Sequence, residues 1–151
     1  MGIARFLHVL GAVIWVGGMF FAYMALRPAA ASLLEPAQRL PLWQETFRRF
    51  FFWVWLCVLG LLLSGLWMVL LLGGFRAVSP HVHLMLLIGV VMIAIFAHIY
   101  FAPYRRLTRS AGQQDWKAAG LALGQIRKLV AINLTLGLVN VAVGTLGPLL
   151  A

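Results

Sequence analysis

The stretch FLHVLGAVIWVGGMFFAYMAL, from Phe6 to Leu26, decides the fold of this chain. It carries no formal charge and is closed by Arg5 on one side and Arg27 on the other. Its length matches the roughly 20 apolar residues that cross a bilayer as an α-helix. We therefore predict a first transmembrane helix here. An ionisable side chain inside such a helix, here His8, is a candidate functional residue.

The composition of the whole chain is that of an integral membrane protein. Hydrophobic residues make up 64% of the 151 residues, charged residues make up 10%, and the mean hydropathy is +0.99. A soluble domain is closer to half apolar and a quarter charged. The net charge of +9 comes from basic residues beside apolar runs, which set orientation and meet anionic lipid, so we exclude nucleic acid as a partner. The single cysteine, Cys57, excludes an intramolecular disulfide.

Four charge-free runs predict an all-α, integral membrane four-helix bundle that forms one transmembrane domain. The domain and its expected spans are residues 1–151, with spans at approximately 4–27, 49–72, 80–102 and 126–149. Ser79 has the residue type of an N-cap, and Pro80 suits the first position of a helix. The third helix is therefore expected to begin near Pro80 and to end before Pro103.

The connections between the spans carry most of the charges. Residues 28–48 are expected to form either a short interfacial helix or an irregular loop, and a polar helix is expected around 114–124. Of the 12 basic residues, all but Arg5 and Arg76 belong to the first and third connections. By the positive-inside rule both termini should lie on the non-cytoplasmic side of a cell inner (plasma) membrane, which the chain crosses several times.

The four histidines are the first candidate ligands. The predicted topology places His8, His81 and His83 toward the outer side of the membrane and His98 toward the cytoplasm. His83 and His98 are 15 residues apart, about 22 Å along a helix axis, so they cannot share one metal centre. His8 can share a centre with His83 or with His81.

A b-type haem held by His8 and His83 near the outer face is the site that these residues favour. Such a haem requires two neutral imidazoles and a flat, dry slot, which the small residues beside His8 can leave open. A tryptophan can pack on the ring, and arginines can pair with the propionates. The further residues expected to contact the haem are Gly11, Trp15, Gly18, Arg5 and Arg76. The alternative is that both histidines lie at the headgroup level, hydrogen-bonded to water.

The same histidines also suit copper, because imidazole and thioether groups together bind copper(I). The alternative metal ligands are His81, His98, Met19 and Met85. Methionines also fill gaps in apolar cores, and no MxxM or MxM cluster occurs in the chain. A third interpretation is a membrane scaffold subunit without a cofactor. Expected partners are membrane lipid, a redox partner protein or a quinone, and further copies of the chain; catalytic residues are unknown.

Polar and small residues of the last span share one helical stripe. The stripe contains Asn133, Gly137, Asn140 and Gly144. Asparagines within a span are expected to face the bundle and to form hydrogen bonds between helices. We therefore predict that this stripe packs against neighbouring helices and does not bind a ligand.

The first and third spans also resemble known families. LHVLGAVIWVGGMFF at 7–21 resembles the first helix of the CopD superfamily of copper-resistance membrane proteins and of HemJ-type protoporphyrinogen oxidases. HVHLMLLIGVVMIAIFAHIYFAPYRR at 81–106 is similar to the HemJ pattern of two histidines separated by an apolar run and followed by a basic patch. The resemblance implies a four-helix membrane fold, with b-type haem on the HemJ side and copper handling on the CopD side. Met85 stands where HemJ proteins have a lysine, so the likeness extends to the scaffold and the haem site and not to the oxidase activity.

Overall fold

The computed structural model describes residues 1–150 as four long helical rods joined by short turns. In chain order the elements are α1 (Gly2–Phe21), a π-helical turn (Ala22–Leu26) and α2 (Arg27–Leu33) in the first rod, α3 (Pro36–Leu71) in the second, α4 (Pro80–Phe101) and α5 (Pro103–Gly112) in the third, and α6 (Trp116–Leu150) in the fourth. Each rod contains a stretch that is long and apolar enough to cross a membrane. The prediction of an all-α, four-span protein that crosses the membrane several times is thus confirmed.

The first connection is much shorter than the sequence suggested. Only Leu34 and Glu35 separate α2 from α3, so most of residues 28–48 extend the two flanking helices. Helix α3 even continues across Pro41, where the missing N–H removes one backbone hydrogen bond. The expectation of a separate interfacial helix or an irregular loop was therefore wrong.

The third connection also differs from the prediction of a separate polar helix around 114–124. Helix α5 ends at Gly112, and α6 begins at Trp116 and runs without interruption into the last span. The carboxylate of Asp115 accepts a hydrogen bond from the backbone N–H of Ala118, which caps the start of α6. This cap explains why the helix starts at this point.

The second connection is a tight turn that contains two glycines. Gly73 and Gly74 have φ angles of +98° and +88°, a left-handed conformation that glycine adopts without strain. Helix α4 then begins at Pro80 and ends at Phe101, as expected. Ser79 occupies the N-cap position, but its side chain forms no capping hydrogen bond.

Helices pack in two close pairs, α1 against α3 and α4 with α5 against α6. Glycines mark where the backbones approach, since a larger side chain would fill the same space. In the first pair, Gly11 faces Leu61 and Gly18 faces the ring of Phe50. Between the pairs, Gly137 of α6 faces both Val16 of α1 and Met92 of α4, so α6 reaches the centre of the bundle.

Aromatic side chains fill the space between α3 and the third rod. Phe51 of α3 packs edge-on against Phe96 of α4 and Tyr104 of α5, with ring centroids 5.3 and 5.1 Å apart. Trp55 adds contacts to Phe96 at 5.0 Å and to Tyr100 at 5.6 Å. Each such pair contributes about 1 kcal/mol beyond its buried area. This cluster therefore holds the two helix pairs together.

The bundle has two chemically different ends. The histidine end, where α1 and α4 begin and α6 approaches its end, contains His8, His81 and His83. The arginine end contains the first and third connections. Its arginines are Arg27, Arg39, Arg48, Arg49, Arg105, Arg106 and Arg109. The assignment of the arginine end to the cytoplasmic side stays a prediction from the charge distribution.

Candidate functional site

His8 is half-buried on α1 and is held by a side chain of α3. Its Nδ1 lies 3.0 Å from Oγ of Ser64, which is 6% exposed. The Ser64 hydroxyl donates its own hydrogen to the carbonyl of Gly60, so Oγ accepts from the imidazole and Nδ1 carries the proton. The lone pair of the ring is then on Nε2. An N–H held in this way is the usual orienting contact of a metal-binding histidine.

His83 is exposed, and the structure gives it a different neighbour. Its ring centroid lies 6.2 Å from that of Phe75, in the turn between α3 and α4. His8 faces Ser64 and Gly65 of α3 instead. The described residues therefore do not bring the two imidazoles to opposite faces of one slot.

The expected slot beside His8 is filled by side chains of α3. A Cβ placed on Gly11 would lie 3.1 Å from Cγ of Leu61, and one placed on Gly18 would overlap the ring of Phe50. Trp15 is 3% exposed and meets Phe96 edge-on at 6.1 Å, so it belongs to the protein core. The small residues of α1 admit another helix, and in this arrangement they do not fit a haem.

The remaining residues that the sequence predicted as ligands or haem contacts lie either in the core or at the surface. Arg5 and Arg76, the expected partners of haem propionates, are both exposed. Met19 is 3% exposed and belongs to the same apolar core as Trp15. His98 is exposed near the arginine end of α4, so it is far along the helix from the other histidines.

His81 lies where α4 comes closest to α6. A Cβ on Gly147 would stand only 2.7 Å from Cβ and Cγ of His81, so only glycine permits this approach. The Nδ1 atom of His81 is buried and finds no hydrogen-bond partner within residues 1–150. A buried polar atom without a partner costs about 1–3 kcal/mol, and such an atom in a native fold calls for an explanation.

Met85 is one helical turn beyond His81, on the same face of α4. Its Sδ lies 3.3 Å from the position that a Cβ on Gly144 would occupy, and its Cε lies 2.9 Å from that position. Imidazole and thioether thus point at two glycines of α6. Beside them is a cleft of about 440 Å³, which is lined by Pro80, His81, Leu84, Ala142, Val143, Leu146 and Gly147.

Two asparagines of α6 are the next polar side chains along the interior of the bundle. Asn133 is 1% exposed, and Asn140 is half-buried one turn before Gly144. The Oδ1 atoms of both are buried without a hydrogen-bond partner in the described part of the chain. The predicted hydrogen bonds between helices are therefore not formed by these oxygens. Unpaired acceptors extend from the histidine end into the middle of the bundle.

The acidic and histidine side chains of the described residues are spread over both ends of the bundle. Across residues 1–150, no three histidine, cysteine, aspartate or glutamate side chains are grouped so that they could hold a metal ion. The three acids Glu35, Glu45 and Asp115 all lie at the arginine end. The donors of the histidine end are instead imidazole nitrogens, thioethers and amide oxygens.

The fold defines a helical membrane protein that crosses the bilayer several times, with His81 in the lining of a cleft between α4 and α6 and the Met85 thioether one helical turn away. The family model of CopD, copper resistance protein D, matches residues 44–146, which is more than half of the chain. The chain belongs to the CopD family. No curated protein and no solved structure matches it. The CopD side of the sequence resemblance is thus confirmed, and the matched region includes His81 and Met85 but not His8.

From the sequence, His81 and Met85 were predicted only as alternative ligands. Their four-residue spacing put them on one face, and that signal was available. Their position opposite Gly144 and Gly147 depends on the pairing of α4 with α6, which the sequence does not give. The Ser64 partner of His8 was missed for the same reason, since it lies on another helix.

Proposed function

We propose that the protein handles copper(I) as a cargo in the membrane, with His81 and Met85 as its first ligands. The observation that carries this proposal is the unpaired, buried Nδ1 of His81 one turn from the Met85 thioether, beside an open cleft. Membership of the copper resistance protein D family supports copper as the metal. A bound soft cation would be a partner for the Nδ1 atom of His81, which has no hydrogen-bond partner within residues 1–150.

The chemistry of the cleft favours copper(I) over other common ions. Imidazole and thioether are soft ligands, whereas magnesium and calcium take carboxylate and carbonyl oxygens. No acidic residue lies at the histidine end. The walls of the cleft are otherwise apolar, which suits a monovalent ion better than a divalent one, because the penalty for desolvation rises with charge.

The tight approach of α4 and α6 is part of this proposal. Gly144 and Gly147 leave no side chain of α6 between the two ligands and the helix backbone. Methionine has three rotatable bonds, so the Met85 thioether can turn toward an incoming ion while His81 stays fixed by its contact with Gly147. One rigid ligand and one adaptable ligand are suited to an ion that must be taken up and released.

A b-type haem with electron transfer or a small redox reaction is the second candidate. The orientation of His8 favours it, because the bond to Ser64 leaves the Nε2 lone pair available. The filling of the slot at Gly11 and Gly18 opposes it, since a haem there would require α1 and α3 to separate. A cofactor-free scaffold is the third candidate, for which the histidines would have no ligand.

The decisive experiment measures copper(I) binding to protein purified in mild detergent. The protein is titrated without oxygen against a chromophoric copper(I) chelator, as wild type and as His81→Ala and Met85→Leu. The matched controls are His98→Ala, which removes an exposed imidazole, and Met24→Leu, which removes a thioether that is 57% exposed. We expect one copper(I) per chain, with affinity reduced about tenfold or more in the two cleft variants only.

An optical spectrum of the same samples separates the candidates. Copper binding without absorption in the Soret region supports the copper proposal. A Soret band that disappears in His8→Ala would instead establish the haem. Copper binding that is equal in all variants would show that the cleft is not the site, and binding of neither copper nor haem after supplemented expression would leave the scaffold.

A further inference from the structure

A second cleft, at the arginine end, has no part in the copper proposal. It lies between α3 and the third rod, and its volume is about 590 Å³. Its lining consists of two arginines and five aromatic residues, Arg48, Arg49, Phe52, Trp53, Trp55, Tyr100 and Tyr104. The two arginines belong to the basic connections, whose charges predict the orientation in the membrane. The convergence of arginines and aromatic residues in one cleft requires a separate explanation.

The two arginines are held in place by one carboxylate. Glu45 accepts hydrogen bonds of 2.7 Å from Nε and Nη2 of Arg48 and from Nε of Arg49. The side chains of the two arginines nevertheless remain 64% and 74% exposed. One negative and two positive charges leave a net positive charge, and the guanidinium N–H groups that Glu45 does not use remain free to bind an anion.

The aromatic residues form an apolar floor directly beside this charge. Trp55 and Tyr100 meet edge-on with centroids 5.6 Å apart and form the inner wall. Phe52 and Trp53, at 61% and 54% exposure, stand at the mouth of the cleft. The charge-free run of α3 starts at Phe50, immediately after Arg49, so the cleft spans the boundary between a charged and an apolar zone. Phospholipid headgroups and acyl chains meet at such a boundary.

From this charge and shape we infer that the cleft between the two arginines, Arg48 and Arg49, and the aromatic wall of Trp55 and Tyr100 binds one anionic phospholipid. The phosphate is placed against the free guanidinium N–H groups, and an acyl chain lies along the aromatic wall. Arginine forks match the geometry of phosphate oxygens, and basic pockets between transmembrane helices are sites where anionic headgroups bind. Because Glu45 already orders both guanidinium groups, binding does not have to immobilise them again.

The site differs from the general attraction of a basic surface for lipid. Other arginines at the same end, such as Arg106 and Arg109, are exposed on α5 and do not line the cleft. Arg105 stacks over Phe101 at 5.1 Å, also outside the cleft. The proposal therefore predicts that removing two charges at the cleft has a different effect from removing two charges elsewhere at this end.

The test uses native mass spectrometry of the full chain in mild detergent, titrated with phosphatidylglycerol or with phosphatidylcholine of the same acyl chains. Wild type should bind one phosphatidylglycerol, preferred over phosphatidylcholine by about tenfold or more. The double variant Arg48→Gln, Arg49→Gln should lose that preference. The matched double variant Arg106→Gln, Arg109→Gln removes the same charge and should keep it.

Circular dichroism and elution volume verify that both double variants remain folded. Equal loss of the preference in both would overturn the proposal in favour of general surface attraction. Equal binding of the two lipids by wild type would overturn it as well. A neutral quinone that binds to wild type and equally to the Arg48→Gln, Arg49→Gln variant would show that the aromatic wall holds another ligand. That result would refute the lipid site. None of these results depends on whether the protein binds copper.

Discussion

The contact between Gly18 and Phe50 allows the packing of α1 on α3 to be tested with adjacent glycines. A Cβ on Gly18 would overlap the Cε2 and Cζ atoms of Phe50, whereas a Cβ on Gly17 would meet nothing within 4 Å. Replacing a helical glycine by alanine stabilises a helix by about 1 kcal/mol, and overfilling a packed contact costs about 1–3 kcal/mol. Gly17→Ala should therefore raise the free energy of unfolding by up to about 1 kcal/mol. Gly18→Ala should be less stable than Gly17→Ala by about 1–3 kcal/mol.

The assay is reversible unfolding in mixed detergent micelles, with helical circular dichroism as the readout. A second variant isolates the cause of the effect. Leucine at position 50 lacks the two ring atoms that the new methyl group meets, so Phe50→Leu should rescue Gly18→Ala. In a double-mutant cycle the coupling energy should favour the double variant by about 1 kcal/mol or more. Equal stability of the two alanine variants, or a coupling energy near zero, would refute the packing of α1 on α3 as described.

Three further predictions concern the approach of Gly147 to His81 and two polar side chains inside the bundle. Gly147→Ala should weaken copper(I) binding by pushing α4 away, measured by chelator competition, while Gly124→Ala, which has open space, should leave it unchanged. Asn133→Leu should raise the free energy of unfolding by about 1 kcal/mol, because it removes a buried acceptor without a partner; a fall would mean that the amide is satisfied in solution. Ser64→Ala should lower the free energy of unfolding by about 1 kcal/mol, because the hydrogen bond to His8 is lost. As the control, the same substitution made in the His8→Ala variant should leave the free energy of unfolding unchanged.

The number and order of the membrane spans could be predicted from the sequence, because long charge-free apolar runs mark them. The start of α4 at Pro80 also followed from local signals. The connections did not, because Pro28, Pro36 and Pro41 indicate a loop when considered singly. Pro36 stands at the first position of α3, which proline favours, whereas Pro28 lies in the continuous helix of the first rod and Pro41 lies inside α3, where packing outweighs the local preference.

The residue types of the candidate site could be predicted from the sequence, but the helices that meet there could not. Imidazole and thioether ligands were named, but the favoured pair of His8 and His83 depended on an assumed arrangement of the helices around α1. In the structure His8 forms a hydrogen bond with Ser64, His83 lies near Phe75, and His81 packs against Gly147. A helical wheel gives the face of each residue but not the helix that the face meets. Glycines with close neighbours in the structure supply that information.

The two ends of the bundle divide stability and function between them. The arginine end is held together by packed aromatic rings, and Glu45 forms ion pairs with Arg48 and Arg49 there. The buried polar side-chain atoms without partners in residues 1–150 are those of His81, Asn133 and Asn140, on the faces where α4 and α6 meet. Proteins tolerate such violations of local rules mainly at functional sites, where other parts of the fold compensate for them. The packing energy of the aromatic cluster can offset the cost of these unpaired atoms, and under the copper proposal we expect the ligand to act between α4 and α6.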